Sequence, residues 1–495
     1  MSKKKIIVVG GGTAGLTIAN RLQDSFDVTV IEKSQYSKYP ICFGIPLMVG
    51  ILFRKKLGSY INKRELRLAD GRLIPFFESN LWGGSSVMNG CVHVFGFRSK
   101  WEKELRRFGF SFDALLQSNK DLFSNDLSQS RKITVRPAHQ NLVDKAFIQT
   151  LAQVGIPPDD MSCSEKEACG PIVNTVRKVL RTSVLSLQRK KKYKRLMNER
   201  VTEILINEGG KINGVRTDRG THSADVVIVS AGVIGSCSLL LKEKQKPKSP
   251  LLDVPVGDQI QDHTNLRVNV LATRPIGSLN ETYSRLGRKL LLGLKHVLGV
   301  PTVMRGTGAT SAAYLDLDGD GKVDTRIQIL QFAETGRHGS KGSVFDTDLP
   351  SFSISINAIH PESTGQVYLE GDRTVVDPRF LSASKDMEIL KLALEYCIKL
   401  LKTPPISDLV QEIIAEEQML NDPEKYIRDN IYSGHHLNGG LHRAIDSDLG
   451  VRNANGLYVC DASVFEGYVA SNIHSSVVLL ADLFARRFVE RNASS

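Results

Sequence analysis

An α/β chain in two interleaved regions is what the sequence predicts, on three observations. Near the N-terminus an apolar run, residues 6–9, enters Gly10, Gly12 and Gly15 in the spacing GxGxxG. A helical pattern follows (Leu16, Ile18, Ala19, Leu22), then a second apolar run, 28–31, closed by Glu32. Residues 200–232 read as a β-meander with turns at Glu208-Gly209-Gly210 and Asp218-Arg219-Gly220. Its last strand, 226–230, runs into Ala231-Gly232. From Gly456 the chain returns to strand, loop and helix, so one domain is assembled from separated pieces.

The first stretch carries a mechanism. Gly10 permits a tight turn, Gly12 lets a pyrophosphate touch backbone, and Gly15 lets the helix pack close to the strand. The N–H groups that open the helix then face the phosphates. Glu32 lies near the place of a carboxylate that accepts ribose hydroxyls, with Lys33 beside it. A dinucleotide site follows. The motif does not choose between NAD and FAD.

Residues 101–195 hold charged amphipathic segments that predict helices. Residues 264–430 alternate strands (267–271, 326–332, 352–358, 367–369) with helices (286–300, 387–401). The expected division is 1–100, 196–263 and 431–495 for the nucleotide domain, 101–195 for a helical substrate region, and 264–430 for the substrate domain. The segment from Glu32 to Gly71 reads as a long connection, with apolar residues 41–53 buried.

The chain has 495 residues, 41% hydrophobic and 24% charged, as expected of a globular enzyme-sized protein. The net charge is +12, concentrated at 189–195 and at the lysines between 242 and 248. These read as solvated surfaces, since no nucleic-acid motif accompanies them. Seven scattered cysteines without CxxC or Cys/His ligand spacing predict reduced thiols, a cytoplasmic setting and no structural zinc. No signal peptide is expected, and the run 41–53 is too short to span a bilayer.

With these pieces in order, the chain resembles the glucose–methanol–choline (GMC) family of flavin oxidoreductases over nearly its whole length. The GxGxxG…Glu32 unit is followed by Gly83-Gly84-Ser85-Ser86-Val87-Met88-Asn89-Gly90, similar to the family's GGSSxxNG signature. Val229–Ser236 resembles its second signature, and Val256–His263 its VGxxLxDH element. Ser363–Val367, His436-Leu437-Asn438-Gly439-Gly440, Leu457–Ser463 and Ser471-Asn472 complete the series. Departures occur at Cys237 (usually proline), at Phe95 (usually arginine) and in HLNGG, whose nearest family form is HPxGG.

The resemblance implies a Rossmann-like FAD domain, a substrate domain of antiparallel sheet with covering helices, and FAD held without a covalent link, since Met88 stands where flavin-linked members carry histidine. It assigns Gly84, Ser85, Asn89 and Gly90 to the isoalloxazine cradle, and Val201 to adenine. Asp461 goes to the pyrophosphate or ribityl chain, and Ala231 and Ala462 to the close approach of backbone and ring. It implies hydride transfer from a CH–OH group to flavin N5. A base must then take the hydroxyl proton, and histidine suits that task. His436 is the expected base and Asn472 the group that orients the substrate oxygen. His435 should point away, and His474 should pack at a helix start. The His436/Asn472 pair suits an alcohol, whether sugar, sterol-like or otherwise apolar. It speaks against the hydroxynitrile lyase or photodecarboxylase chemistry of other members, and flavin binding without turnover is the second alternative, which anaerobic bleaching of the flavin by any alcohol would exclude. The electron acceptor (oxygen, quinone or protein) stays open.

Two stretches remain. Asp316, Asp318, Asp320 and Asp324 start like an EF-hand loop, but Ile327 stands at the twelfth position and a strand follows, so an acidic hairpin tip is expected and no metal. The helix at 285–299, with leucines and basic residues, reads as an amphipathic cover that could touch a membrane surface.

Overall fold

The first apolar run forms strand Lys5–Val9, and from Ile6 onward every residue in it is buried. A strand buried on both faces is the mark of a parallel sheet covered on each side by other elements. In the computed structural model, which describes residues 3–38, 41–48, 59–68, 70–188, 192–283, 286–334 and 348–492, that strand is central in a five-stranded sheet. The order is Lys194–Met197, Asp27–Glu32, Lys5–Val9, Val226–Val229, Leu457–Val459, all parallel. Helix Thr13–Leu22 connects the first two sequential strands and packs on the C-terminal helix, His474–Asn492. Strand order reverses at Lys5–Val9, whose later sequence neighbours lie on either side of it. In open α/β sheets ligands bind at that crevice.

A buried carboxylate ties the helices on this face. Asp482 is fully buried and accepts from Arg21, from Ser118 and from Arg486 at 2.7 Å. It therefore joins helices Thr13–Leu22, Phe112–Leu122 and His474–Asn492.

The second region holds an antiparallel sheet in the order Val410–Ile413, Thr264–Ala272, Ser351–Ala358, Thr325–Leu330, Ala309–Leu315, Ala168–Pro171. Its central strands alternate strictly. Phe352, Ile354 and Ile356 share a face with Leu266, Val268, Val270, Ile327 and Ile329, all buried, with helix Ser384–Leu401 packed over strand Ser351–Ala358. The other face carries Asn265, Arg267, Asn269, Ser353, Ser355, Asn357, Arg326 and Gln328. Most of these are buried too, so this sheet hides a polar face inside the molecule. Buried polar groups need partners.

Several expectations shift. Residues 101–195 do contain helices (Arg98–Phe108 begins them, then Phe112–Leu122 and Leu142–Gln153), but 168–181 is short strands, one of which edges the large sheet. The paired pieces are too short for alternation to register. The supposed connection before Gly71 contains half of a hairpin, Ile61–Arg67 with Leu73–Ser79. Asp70-Gly71 sits in its turn, a dipeptide that signals a hairpin. Of the run 41–53, Phe43 and Leu47 are buried, and 49–53 lies outside the described residues. So does 189–191 of the basic cluster.

Asp316–Asp324 is a hairpin tip between Ala309–Leu315 and Thr325–Leu330. There the Asp324 carboxylate accepts from the N–H groups of Leu317 and Asp318, and Asp318 pairs with Lys385. Helix Leu286–Val297 is where the sequence predicts it, but its apolar side faces out. Leu286, Leu290 and Leu294 are each more than half exposed, as is Val297. Cys91, Cys169, Cys237, Cys397 and Cys460 are buried, and they and the exposed Cys163 are free thiols.

Candidate active site

The glycine loop of the first βα unit is held by contacts that only backbone can make. A Cβ on Gly15 would lie 1.9 Å from the Gly10 carbonyl oxygen, and one on Gly84 would lie 2.8 Å from the Gly12 Cα. The GxGxxG turn and the GGSS loop therefore touch main chain to main chain. A Cβ on Gly12, by contrast, would meet nothing nearer than 3.9 Å. Helix Thr13–Leu22 opens there with no side chain capping its N–H groups. An open backbone surface at an uncapped helix start fits a pyrophosphate.

Glu32 ends its strand, nearly buried. Its Oε2 accepts from Gly11 N–H at 2.6 Å and its Oε1 from Ser34 N–H and Oγ at 2.8 and 2.7 Å. A carboxylate has about four acceptor sites, so it retains capacity for ribose hydroxyls. Lys33 lies 4.0 Å from Glu78. Val201 begins strand Val201–Ile206, just past the edge strand beside Glu32. Ser85 lies in the short helix Gly84–Val87, and the Asn89 side chain accepts from Cys91 N–H and from Arg181 at 2.7 Å, beside Gly90. Arg181 keeps Nε and Nη2 unpartnered.

Asp461 is used differently from the expectation. One oxygen accepts from Gly232 N–H at 2.9 Å and from Ser236, the other from Ser463 N–H and Oγ. Its carboxylate thus joins Ala231 and helix Gly232–Lys244 to Ala462 and the last strand. Burial pushes its carboxyl up.

The candidate base sits in a one-way line of hydrogen bonds. His263 Nε2 is 3.2 Å from the Ile359 carbonyl, which can only accept, so that nitrogen bears the proton. Nδ1 of neutral His263 must then accept, and its partner at 3.0 Å is His436 Nδ1, which therefore donates. That leaves Nε2 of neutral His436 with a free lone pair. Asn472 Nδ2 lies 3.1 Å from it and donates. The amide orientation is set independently, because Asn472 Oδ1 accepts from Arg326, a side chain with no acceptor. Both ends of the line dictate one tautomer. Burial, with Arg326 second, pulls His436 down to about 3, so it is neutral in the resting site. Asp262 holds the His436 N–H at 2.9 Å, Tyr468 donates to the His436 carbonyl at 2.9 Å, and the Tyr468 ring stacks on His263.

The other histidines separate cleanly. The His435 ring packs on Phe76 and Phe77, away from Asn472. His442 meets Gln259 at 2.9 Å. His474 opens the C-terminal helix with neither ring nitrogen partnered. Residues that the motifs pointed to less directly complete the site. Asp262 and His263 end the VGxxLxDH element and were legible there. Arg326 gave no signal beyond a charge in a strand pattern. A surface cavity of about 360 Å³ lined by Arg136, Lys145 and Arg305 contains none of these groups.

The comparisons place the chain in a family and a fold. The GMC oxidoreductase family models match residues 4–265 and 361–481. The chain is similar to oxygen-dependent choline dehydrogenase of Vibrio vulnificus, 24% identical, over 96% of this chain and 92% of that one. It is similar to mitochondrial choline dehydrogenase of Mus musculus, also 24% identical, over 96% and 88%. Pyridoxine 4-oxidase from Mesorbium loti superimposes with a TM-score of 0.81 at 20% identity, covering 98% of this chain and 99% of that one. A formate oxidase variant from Aspergillus oryzae gives 0.85 at 17%, covering both chains fully.

The buried histidines set a pH dependence. Burial pulls His93 and His442 down to about 4, and His360, His436 and His474 to about 3, from an ordinary 6.5. The unfolded chain therefore binds protons first as pH falls, and stability present above the ordinary value is lost between it and about pH 4. Asp262, raised to about 7, works the other way, as do the buried carboxyls of Glu104, Asp144 and Asp461, which titrate nearer the acid end of this range. Urea unfolding midpoints should drop from about pH 7.5 to about pH 5, and an unchanged or higher midpoint contradicts the histidine burial.

With its motifs, its fold and its site in agreement, the chain is an oxidoreductase that belongs to the GMC oxidoreductase family.

Proposed function

We propose that the protein oxidises a CH–OH group with FAD as cofactor and His436 as general base. The observation that carries this reading is the unprotonated Nε2 of His436, imposed from both ends of its hydrogen-bond line. Bound in the crevice, FAD supplies the hydride acceptor. His436 Nε2 takes the hydroxyl proton, and its Nδ1–H stays on His263. Asn472 Nδ2, which holds Nε2 in the resting site, turns to the substrate oxygen. Gly10, Gly12, Gly15, Gly84, Ser85, Asn89 and Gly90 line the cofactor's path, with Val201 at adenine and Glu32 and Lys33 at the ribose. Asp461, its oxygens committed to protein donors, shapes the floor at Ala231 and Ala462.

A base within hydrogen-bond reach contributes about 10²–10⁴-fold. His436→Ala should keep fold and flavin yet slow anaerobic flavin reduction by a working alcohol by about that factor. Asn472→Ala should cost less, because it orients without taking the proton, and His474→Ala should stay near wild type. Stopped-flow reduction of the three variants decides it: a crippled His474→Ala beside an active His436→Ala overturns the assignment of the base.

FAD is held without a covalent bond in this reading, because Met88 offers no nucleophile beside Asn89. Acid precipitation should leave the yellow colour in the supernatant, and colour retained in the pellet sinks the idea.

Helix Leu286–Val297 extends the proposal to a surface. It presents Leu286, Leu290, Leu294 and Val297 with Arg288, Lys289 and Lys295, and no acidic residue. That pairing of exposed leucines with cations suits an anionic lipid surface. The protein should float with vesicles rich in phosphatidylserine at low salt. No flotation there removes the membrane contact.

A further inference from the structure

Arg326 is 3% exposed, and no carboxylate among the described residues pairs with it. Nη1 donates to Asn472 Oδ1 and, at 3.4 Å, to Ser471 Oγ, while Nε and Nη2 have no partner. Its carbon lies 5.9 Å from the Tyr314 ring centre, an attraction too small to replace a counter-ion for a buried charge. The same polar sheet face solves the problem at its other arginine in the usual way. Arg267 meets Glu334 at 2.8 Å, with Tyr432 at 3.1 Å. Among the described residues Arg326 has no such anion, and Gln328 Oε1 and Asn357 Oδ1 beside it are unpartnered as well. A buried guanidinium with two orphaned N–H positions marks a place that an anion fills.

We infer that the missing counter-ion is the substrate: a short hydroxy carboxylate whose carboxylate docks on Arg326 while its carbinol hydroxyl meets His436. The inference rests on the oxidation proposed above and names the substrate class of that site. One carboxamide, that of Asn472, separates the base from the guanidinium. The hydroxyl and the carboxylate therefore belong on neighbouring carbons, as in a 2-hydroxy acid. The O–H proton goes to His436 Nε2, the carbinol hydrogen leaves with its electron pair as hydride to the bound flavin, and the carbon becomes the carbonyl of a 2-oxo acid. Charge supports the pairing twice. An unpaired guanidinium opposes a quaternary ammonium such as choline, for which the similar dehydrogenases are named. Arg326 also helps to keep His436 a weak base, and a docked carboxylate offsets that effect.

The test uses the holoenzyme and anaerobic flavin reduction. Glycolate, lactate and 2-hydroxybutyrate are compared with the matched neutral 1,2-diols and with choline. The acids should be preferred over the diols. Arg326→Met should lower kcat/KM for the acids by about 10²-fold, mostly through KM, so that the preference collapses, and Arg326→Lys should restore part of it. A purely structural Arg326 would move acids and diols together. Should Arg326→Met not fold, wild-type protein titrated with oxalate, an unreactive dianion, should show a saturable change in the flavin spectrum that its neutral match oxamide does not give. Faster flavin reduction by the diols or choline than by the acids, an acid preference that survives Arg326→Met, or no oxalate effect overturns the inference and leaves alcohol oxidation standing. Reduction by none of these compounds or of any wider alcohol panel overturns the oxidation itself.

Discussion

The structure depends on main chain meeting main chain where distant segments converge. Gly12 and Gly84 approach so closely that a single Cβ on Gly84 would break the contact. Around this point lie the start of helix Thr13–Leu22, the GGSS loop and the last strand with its following turn. Side chains lock the convergence from behind. Asp461 receives donors from Gly232 and Ser236 on one piece of chain and from Ser463 on another. Asp482 does the same for three helices. Each carboxylate is buried with both oxygens partnered, the condition under which such a group costs little and specifies much. The large antiparallel sheet is then pressed against this assembly with a polar face inward, and the site lies where its Arg326 reaches Asn472.

Direction distinguishes the line through His436 from a mere cluster of histidines. Imidazoles can donate or accept at either nitrogen, so a pair of them is ambiguous alone. Here a backbone carbonyl that can only accept stands at one end and a guanidinium that can only donate at the other. The protons between them have one arrangement. Asp262 and Tyr468 hold the His436 backbone from two sides, so the ring's position is set as firmly as its tautomer. Preorganisation of this kind supports the role proposed for His436, because its ring and tautomer are fixed in the resting site.

The nucleotide half of this fold was legible because its rules are local. GxGxxG between two apolar runs prescribes strand, turn and helix, and strands Lys5–Val9 and Val226–Val229 announce themselves as apolar runs, whereas the edge strand Lys194–Met197 is hidden in a basic cluster. His436 and Asn472 were reached through the family motif, and the chain turns through a left-handed His435 that sends its ring to Phe76 and Phe77. Other elements were hidden for physical reasons. The strands at 168–181 are too short for a period to appear. Arg326 looked like a surface charge on an alternating strand, since alternation tells which residues share a face but not whether that face meets water. The leucines of helix Leu286–Val297 posed the converse problem: a stripe predicts an apolar side and cannot say that solvent lies against it.

The order of strands in the parallel sheet also governs how the molecule can be made. Its members come from residues 5–9, 27–32, 194–197, 226–229 and 457–459, and the helix that covers one face ends at Asn492. A ribosome delivering this chain from the N-terminus releases the central strand first and its last neighbour some 450 residues later. The antiparallel sheet of the second region has all its strands in hand before that, by Ser433 of the short strand Tyr432–Ser433 that pairs with Thr264–Ala272. The two halves thus complete themselves in the reverse of the order in which they begin. Until the final segment arrives, the apolar edge of Val226–Val229 stands unpaired, the kind of exposed strand that chaperones recognise.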